Sequence, residues 1–422
     1  MQTSLQGIAN RVQTHPTHRF GGLYNLLNEK NLTECFYLLR KDGATGVDKV
    51  DFKSYEKNLS ENISDLVERL KRKSYKAKLI KRIYIPKGEG KFRSLGIPVL
   101  EDKLLQRAVA RILNAIWEPK FLDSNFGYRP NLSAKSAVKH LSGVIQGGRF
   151  GWVIDADIEG FFDNINHDKM VEMLEHKIND GALVRLIKKW LKAGILEPNG
   201  EVIHPATGTP QGGIVSPILT NIYLHYVLDL WYEKKIKPNC NGDSVYIRYA
   251  DDTVNAFQYR REVVAYLSAL KERLAQFGLR LSESKTKLIR FCRFGDGENK
   301  RFDFLGFEFH WDKSRKGNMV VKKRTSRSKL RMAKRNFKVW FRNNRHHKIS
   351  GLMGTLARKL RGYWNYYGIT GNYDSLQNYY DFVVRTIYKW LNRRSGRKSY
   401  NWAGINELFK DFKIPTPKII PW

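Results

Sequence analysis

The chain has 422 residues, 42% apolar and 13% aromatic, which is enough for several buried cores and argues against global disorder. Seventy-five Lys and Arg stand against forty-one Asp and Glu, a formal charge of +34. An excess of this size repels itself unless a polyanion neutralises it, so nucleic acid is the expected partner rather than solvent alone. Cys35, Cys240 and Cys292 are odd in number and widely spaced, which argues against a disulfide framework or a structural zinc site.

Residues 1–74 read as helical, with Leu59, Ile63, Leu66, Val67 and Leu70 at helical spacing between charges. A turn is expected at Thr45-Gly46-Val47-Asp48. Ile80 to Pro86 and Phe92 to Ile97 form a hairpin about a turn at Lys87-Gly88-Glu89-Gly90-Lys91. A helix follows, with Leu104, Leu105, Ala108, Val109, Ile112, Leu113 and Ile116 on one face. Gly151 to Ile158 is a short strand and His167 to Ile178 a helix. Gly212 to Tyr232 reads as a buried helix, since Pro217, Asn221 and Asp229 bar it from spanning a bilayer. Ser244 to Tyr249 and Thr253 to Phe257 form a second hairpin, Val263 to Phe277 a helix, and Phe302 to Phe309 one strand. The last third is helical and basic. Three apolar stripes, beginning at Leu330, Ile349 and Leu376, predict a small bundle. From Lys313 to Lys348 there are fifteen Lys and Arg and no acidic residue, interleaved with Phe337, Trp340 and Phe341. This pattern suits a grip on a nucleic-acid duplex through its backbone.

Two segments carry the chemistry. Asp155 and Asp157 alternate along a strand and so face one side. Asp251 and Asp252 are adjacent in a hairpin turn, where they repel unless cations bridge them. Two Mg²⁺ about 3.5–4 Å apart would do so and would serve an in-line phosphoryl transfer. Taken alone, an Asp-Asp pair is equally ordinary turn chemistry.

In Tyr249-Ala250-Asp251-Asp252 the chain resembles the YxDD box of reverse transcriptases, and Asp157-Ile158-Glu159-Gly160-Phe161-Phe162-Asp163 is similar to their first palm motif. Thr209-Pro210-Gln211-Gly212-Gly213-Ile214-Val215-Ser216-Pro217 resembles the corresponding segment of group II intron reverse transcriptase/maturases. Tyr84 to Lys87 with Gly96-Ile97-Pro98 is similar to their fingertip hairpin, and Phe126 to Asn131 to another of their boxes. Leu281 to Thr286 and Phe304 to Phe307 are similar to their later palm motifs, and Leu360 to Tyr367 to the thumb, or maturase, region. These motifs occur in the family's order over nearly the whole chain.

The resemblance implies an α+β right-hand polymerase with fingers, a palm bearing an antiparallel sheet, and a helical thumb. Its expected divisions are a helical extension (1–74), fingers and palm (75–312), a basic thumb (313–395) and a short terminal segment (396–422). It implies an RNA-dependent DNA polymerase that copies an RNA template from a DNA or RNA primer with dNTPs, and that also binds structured intron RNA to assist splicing and mobility. Asp157, Asp251 and Asp252 would hold two Mg²⁺, with Mn²⁺ as the alternative ion and the Ile158 carbonyl as a further ligand. Lys87 and Arg93 would clamp the triphosphate, or else are surface charges. Phe162 would block a ribose 2′-OH, with Phe161 the core member of the pair. Gln211 would contact the nucleotide, and Lys285 would donate to the leaving pyrophosphate or stay solvated. Arg327, Lys329, Arg331, Lys334 and Arg335 would grip the duplex. Tyr363, Trp364, Tyr366 and Tyr367 read as bundle core. Ser94 after Arg93, where Pro is frequent, and Ser282, where Asn is common, are mild departures. The chain ends at Trp422 without a Cys/His cluster, so the resemblance is to the form lacking a zinc-associated endonuclease domain. The polar start and the lack of a membrane span point to a cytoplasmic, nucleic-acid-associated protein, and a bacterial source is expected. Two other roles are open on sequence: an RNA-binding splicing factor without polymerase activity, and a related enzyme recruited to host defence or repair.

Overall fold

A computed structural model of the chain describes residues 4–88, 90–293, 301–394 and 399–420. The first elements are α1 (Leu5–Thr14), α2 (Glu29–Tyr37), α3 (Phe52–Glu56) and α4 (Leu59–Lys71), then the hairpin β1 (Ile80–Gly88) and β2 (Lys91–Ile97). Next come α5 (Leu100–Trp117), α6 (Ala134–Gly147), β3 (Trp152–Ala156), α7 (His167–Glu175), α8 (Gly181–Leu191), β4 (Ile195–Leu196), β5 (Val202–Ile203) and α9 (Ser216–Leu224). The hairpin β6 (Ser244–Tyr249) and β7 (Asp252–Phe257) leads to α10 (Arg260–Ala275) and β8 (Lys287–Arg290). Then β9 (Arg301–Phe304), β10 (Phe307–Lys313) and β11 (Met319–Thr325) precede the helices α11 (Arg327–Asn344), α12 (Ile349–Tyr367), α13 (Tyr373–Leu391) and α14 (Trp402–Asp411). Helices and antiparallel sheets together make the expected α+β fold.

Periodicity explains most of this. In α4 the stripe Ile63, Leu66, Val67 and Leu70 is buried while the charges between them face water. Ser133 caps α6 in a reciprocal box with Ser136. Three cores result. One joins the N-terminal helices with α5 and α7 to α10. A second lies between α6 and the faces of the palm strands and β9 to β11, and a third belongs to α11 to α14. The central sheet has the order β6-β7-β3-β8, the fingers sheet β2-β1-β4-β5, and a third sheet β11-β10-β9.

Four expectations need correction. The segment Phe302 to Phe309 is not one strand: it folds back at Leu305-Gly306, so that Phe304 pairs with Phe307. Both turn residues have positive φ, 49° and 79°, as a tight hairpin with right-twisted strands requires. The basic stretch does not begin as helix, because Met319–Thr325 is a strand paired with β10, and the boundary at 312/313 falls inside β10. Helix α9 starts only at Ser216 and passes into wider π turns at His225–Asp229 and Tyr232–Ile236. Helix α7 stops at Glu175. The expected boundary at 395/396 lies outside the described residues.

Candidate active site

Strands β3 and β7 run antiparallel with Ala156 opposite Thr253, so the end of β3 delivers Asp157 beside the start of β7. Asp157 itself lies just past the strand, a change from the expected register. Its backbone is held from the other side, where Ser282 N–H donates to Asp157 O (2.8 Å) and Glu159 N–H to Arg280 O (2.9 Å). Strands β6 and β7 are joined by the two-residue turn Ala250-Asp251, with Tyr249 opposite Asp252. Ala250 adopts φ 57°, the left-handed conformation this turn needs.

The Lys285 Nζ lies 2.6 Å from Asp157 Oδ2. Its proton is held more tightly than usual, first by that hydrogen bond and, against partial burial, by the charges of Asp157, Asp251 and Asp252. One ammonium therefore stands in the field of all three carboxylates. Burial, together with the charge of Asp252, pushes the Asp155 carboxyl up to about 7. Asp155 thus behaves as a half-buried strand residue on the rim of the same field.

Asp157, Asp251 and Lys285 border a cavity of about 540 Å³, a volume suited to a small polar ligand. Asp157, Ile158, Asp251 and Lys285 line one side, Arg93 the fingertip side, and Phe162 and Gln211 the rest. Phe161 is buried, as expected, while Phe162 is only partly buried and faces the cavity. Gln211 anchors its loop to the fingers, its carbonyl accepting from Gly96 N–H at 2.6 Å. Gly212 follows at φ 117°, where an added Cβ would lie 2.5 Å from Gly96 O. Only glycine permits that approach. Arg93 is exposed on β2 opposite Ile85. The expected partner, Lys87, is on β1 rather than in the turn, and its side chain lies outside the described residues.

A reverse transcriptase (RNA-dependent DNA polymerase) model matches residues 85–309, and a group II intron maturase-specific domain matches 330–406. The group II intron-encoded protein LtrA of Lactococcus lactis subsp. cremoris is 30% identical over 436 aligned residues, covering 83% of this chain and 70% of that protein. The chain belongs to the reverse transcriptases encoded by group II introns. Protein YkfC of Escherichia coli is 30% identical over 74% of this chain and 89% of its own length. A 91 kDa protein in a cob intron of Schizosaccharomyces pombe is 40% identical over 39% of this chain and 20% of its own length.

As a member of this family the protein is an RNA-directed DNA polymerase with a maturase region, and its partners are nucleic acids. Reverse transcriptases work with divalent metal ions, and the donor set fits them: Asp157 and Asp251 line one cavity and Asp252 stands beside them in the turn. Among the described residues, no three His, Cys, Asp or Glu side chains are already gathered as a closed ion cage. Also among the described residues, no helix is long and apolar enough to cross a membrane.

Of the five basic thumb residues four are exposed, Arg327 among them, and Lys334 is half-buried. Lys329, Arg331 and Arg335 are exposed on α11. Arg327 lies 3.7 Å from the buried Glu308, and Lys334 turns inward to Asn378 and the Phe382 ring. Trp364 is core, as expected, but Tyr366 is not. It is 39% exposed, stacks on Phe307 of the palm, and its hydroxyl donates to Leu305 O at 2.9 Å. Burial, then Tyr367, Tyr249 and Asp252, push its hydroxyl up to about 12. Tyr128, inside the segment Phe126 to Asn131, also lines the cavity, a role that nothing in its local sequence singles out; burial and Asp251 raise its phenol.

Proposed function

We propose that this cavity is the site where the reverse transcriptase joins a dNTP to a primer on an RNA template. The observation that carries the reading is that Asp157 and Asp251 line one nucleotide-sized cavity, with Asp252 next in the turn and the Lys285 Nζ 2.6 Å from Asp157 Oδ2. Asp157, Asp251 and Asp252, with the Ile158 carbonyl, would hold two Mg²⁺, or Mn²⁺ in their place. Bound there, the ions would supply charge stabilisation for the attacking and leaving oxygens.

The chain's own groups do the rest. The Lys285 ammonium balances the carboxylates and is placed to release Asp157 and turn to the leaving pyrophosphate. Arg93 reaches the cavity from the fingertip and would hold the triphosphate with Lys87. Phe162 presents its ring where a 2′-OH would lie, and Gln211 positions the nucleotide from the Gly-flanked loop. Residues 4–74 share a core with the fingers and palm and would act with them, while the bundle from α11 onward, with its own core, would act as a second unit. The basic thumb would hold the duplex and, with the maturase region, intron RNA, in keeping with the names of the relatives.

Primer extension on an RNA template tests this. Asp251→Asn should abolish extension with Mg²⁺ and leave RNA affinity within a few-fold of the parent, because affinity comes mostly from phosphate contacts. Extension at the parental rate would overturn the assignment.

A further inference from the structure

One buried ion pair has no part in the chemistry above. Arg248 and Asp229 are both fully buried, at 0% exposure. Arg248 grips Asp229 as a fork, Nε to Oδ1 at 2.7 Å and one terminal nitrogen to Oδ2 at 2.6 Å. Tyr246 Oη also donates to Asp229 Oδ1 at 2.8 Å, and His225 Nδ1 stands 3.7 Å from Oδ2. The remaining guanidinium nitrogen donates to Asn221 Oδ1 at 3.0 Å and to the Ala250 carbonyl at 3.1 Å. Asn221 in turn donates from Nδ2 to Gly127 O at 2.6 Å. Gly127 packs against the far side of the same turn, where an added Cβ would lie 2.1 Å from Ala250 N.

The pair is therefore wired to one residue, Ala250, which precedes Asp251 and holds a conformation that alanine disfavours. Buried ion pairs are poor sources of stability, since well-packed apolar residues often replace them without loss. A planar fork that meets a carboxylate, an amide and a carbonyl together is a geometric device, and lysine could not reproduce it. We propose that Arg248, locked by Asp229 and Asn221, is a positioning residue that fixes the Ala250 turn and thereby the direction in which Asp251 and Asp252 face the cavity. The inference rests on the reading of the cavity as the polymerase site.

The test separates stability from positioning. Arg248→Met and Asp229→Leu alone each leave a buried unpaired partner and should lower the denaturation midpoint. Together they should recover most of it. The double variant should still extend primers roughly 10–100-fold more slowly in single turnover. Its KM for dNTP should change less than about threefold, the mark of an interaction used in the transition state. Amide hydrogen exchange should quicken at residues 250–253. Mn²⁺ should bind more weakly to the template–primer complex without nucleotide, read by electron paramagnetic resonance. Asn221→Ala, which keeps the Arg248–Asp229 fork, should show the same changes to a smaller degree and serves if the double variant does not fold. Parental rate, turn exchange and Mn²⁺ affinity in whichever of these variants folds would overturn the proposal. If Asp251→Asn is inactive beside such an unaffected variant, only the positioning role fails. If Asp251→Asn is fully active, the reading of the cavity fails first.

Discussion

Phe162 and Asp102 show how far a single side chain's surroundings set its behaviour. Phe162 packs edge-on against buried Phe161 at 5.5 Å, yet it also lines the cavity. If its ring occupies the space of a 2′-OH, Phe162→Ala should raise rNTP incorporation relative to dNTP while dNTP addition persists. Competition between the two in primer extension measures this, and unchanged discrimination would reduce Phe162 to packing. Asp102 is a buried carboxyl far from the chemistry, accepting from Tyr75 Oη at 2.5 Å and Lys78 N–H at 3.1 Å. Burial pushes it up to about 6, opposed by these two donors and by Lys78's charge and reinforced by Glu101. Between the ordinary value of 3.8 and about 6 the folded chain keeps this proton and the unfolded chain loses it. This group therefore favours folding below the window, and that contribution fades as pH rises through it, by up to about 3 kcal/mol. Asp102→Asn cannot titrate. Urea midpoints at pH 4 and pH 7 should show the parent losing stability relative to the variant as pH rises. A pH-independent offset from the broken Lys78 contact is also expected. A constant difference would show that Asp102 is ionised in the fold throughout.

At the level of elements, the joint between palm and thumb is a polar lock. Asn372, between α12 and α13, is fully buried. It accepts from Thr325 N–H at 2.7 Å and donates to Thr325 Oγ1 at 2.9 Å and Tyr367 O at 2.8 Å. Ser326 N–H donates to Gly306 O at 2.9 Å beside it. Asn372→Ala orphans buried groups at roughly 1–3 kcal/mol each. Hydrogen exchange should quicken at 325–326 and 366–372, and products should shorten in a trap assay while single-nucleotide addition continues. Unchanged protection at both segments would show that the joint does not depend on Asn372. This lock also marks the limit of what the sequence discloses. The hairpin bearing Asp251 and Asp252 is legible because two short strand-like runs flank an acidic turn, although β7 starts one residue earlier than expected, at Asp252. The thumb helices are legible from their stripes. The fold-back at Leu305-Gly306 is hidden, since leucine rarely takes positive φ and the flanking phenylalanines read as one apolar run. Arg248 and Asp229 stand on different elements, and nothing local in either segment signals that they meet. Lys334 looks like its basic neighbours because helical spacing tells which face a residue shares, and only packing of α11 on α13 turns it inward.

Across the whole molecule, the charge of +34 has to be divided between surfaces that grip nucleic acid and surfaces that merely repel. Part of the basic stretch is already engaged within the fold. Arg301, Arg324 and Arg327 gather about Glu308, and Lys322 pairs with Asp312. Among the basic residues turned to solvent on α11 are Lys329, Arg331, Arg335 and Lys338. Helix α11 follows directly from the strand that ends at Thr325, on the side where Tyr366 reaches Leu305. If a duplex leaving the cavity meets this face, phosphate contacts there would act on every sequence alike. Changing these four residues to Gln should leave the fold nearly intact, since exposed substitutions usually shift stability by less than about 0.5 kcal/mol each. Affinity for template–primer should fall, and the slope of log K against log salt should become shallower by roughly 0.7–0.9 for each phosphate that is no longer neutralised. Single-nucleotide addition at saturating duplex should survive, because the carboxylate site is untouched, while product length under a trap should shorten. A salt titration of binding beside the trap assay decides the matter. If the variant keeps both its slope and its product length, α11 does not touch the duplex, and its charge would then serve a separate intron-RNA surface. Intron-RNA affinity that falls in this variant while duplex affinity holds would assign it there.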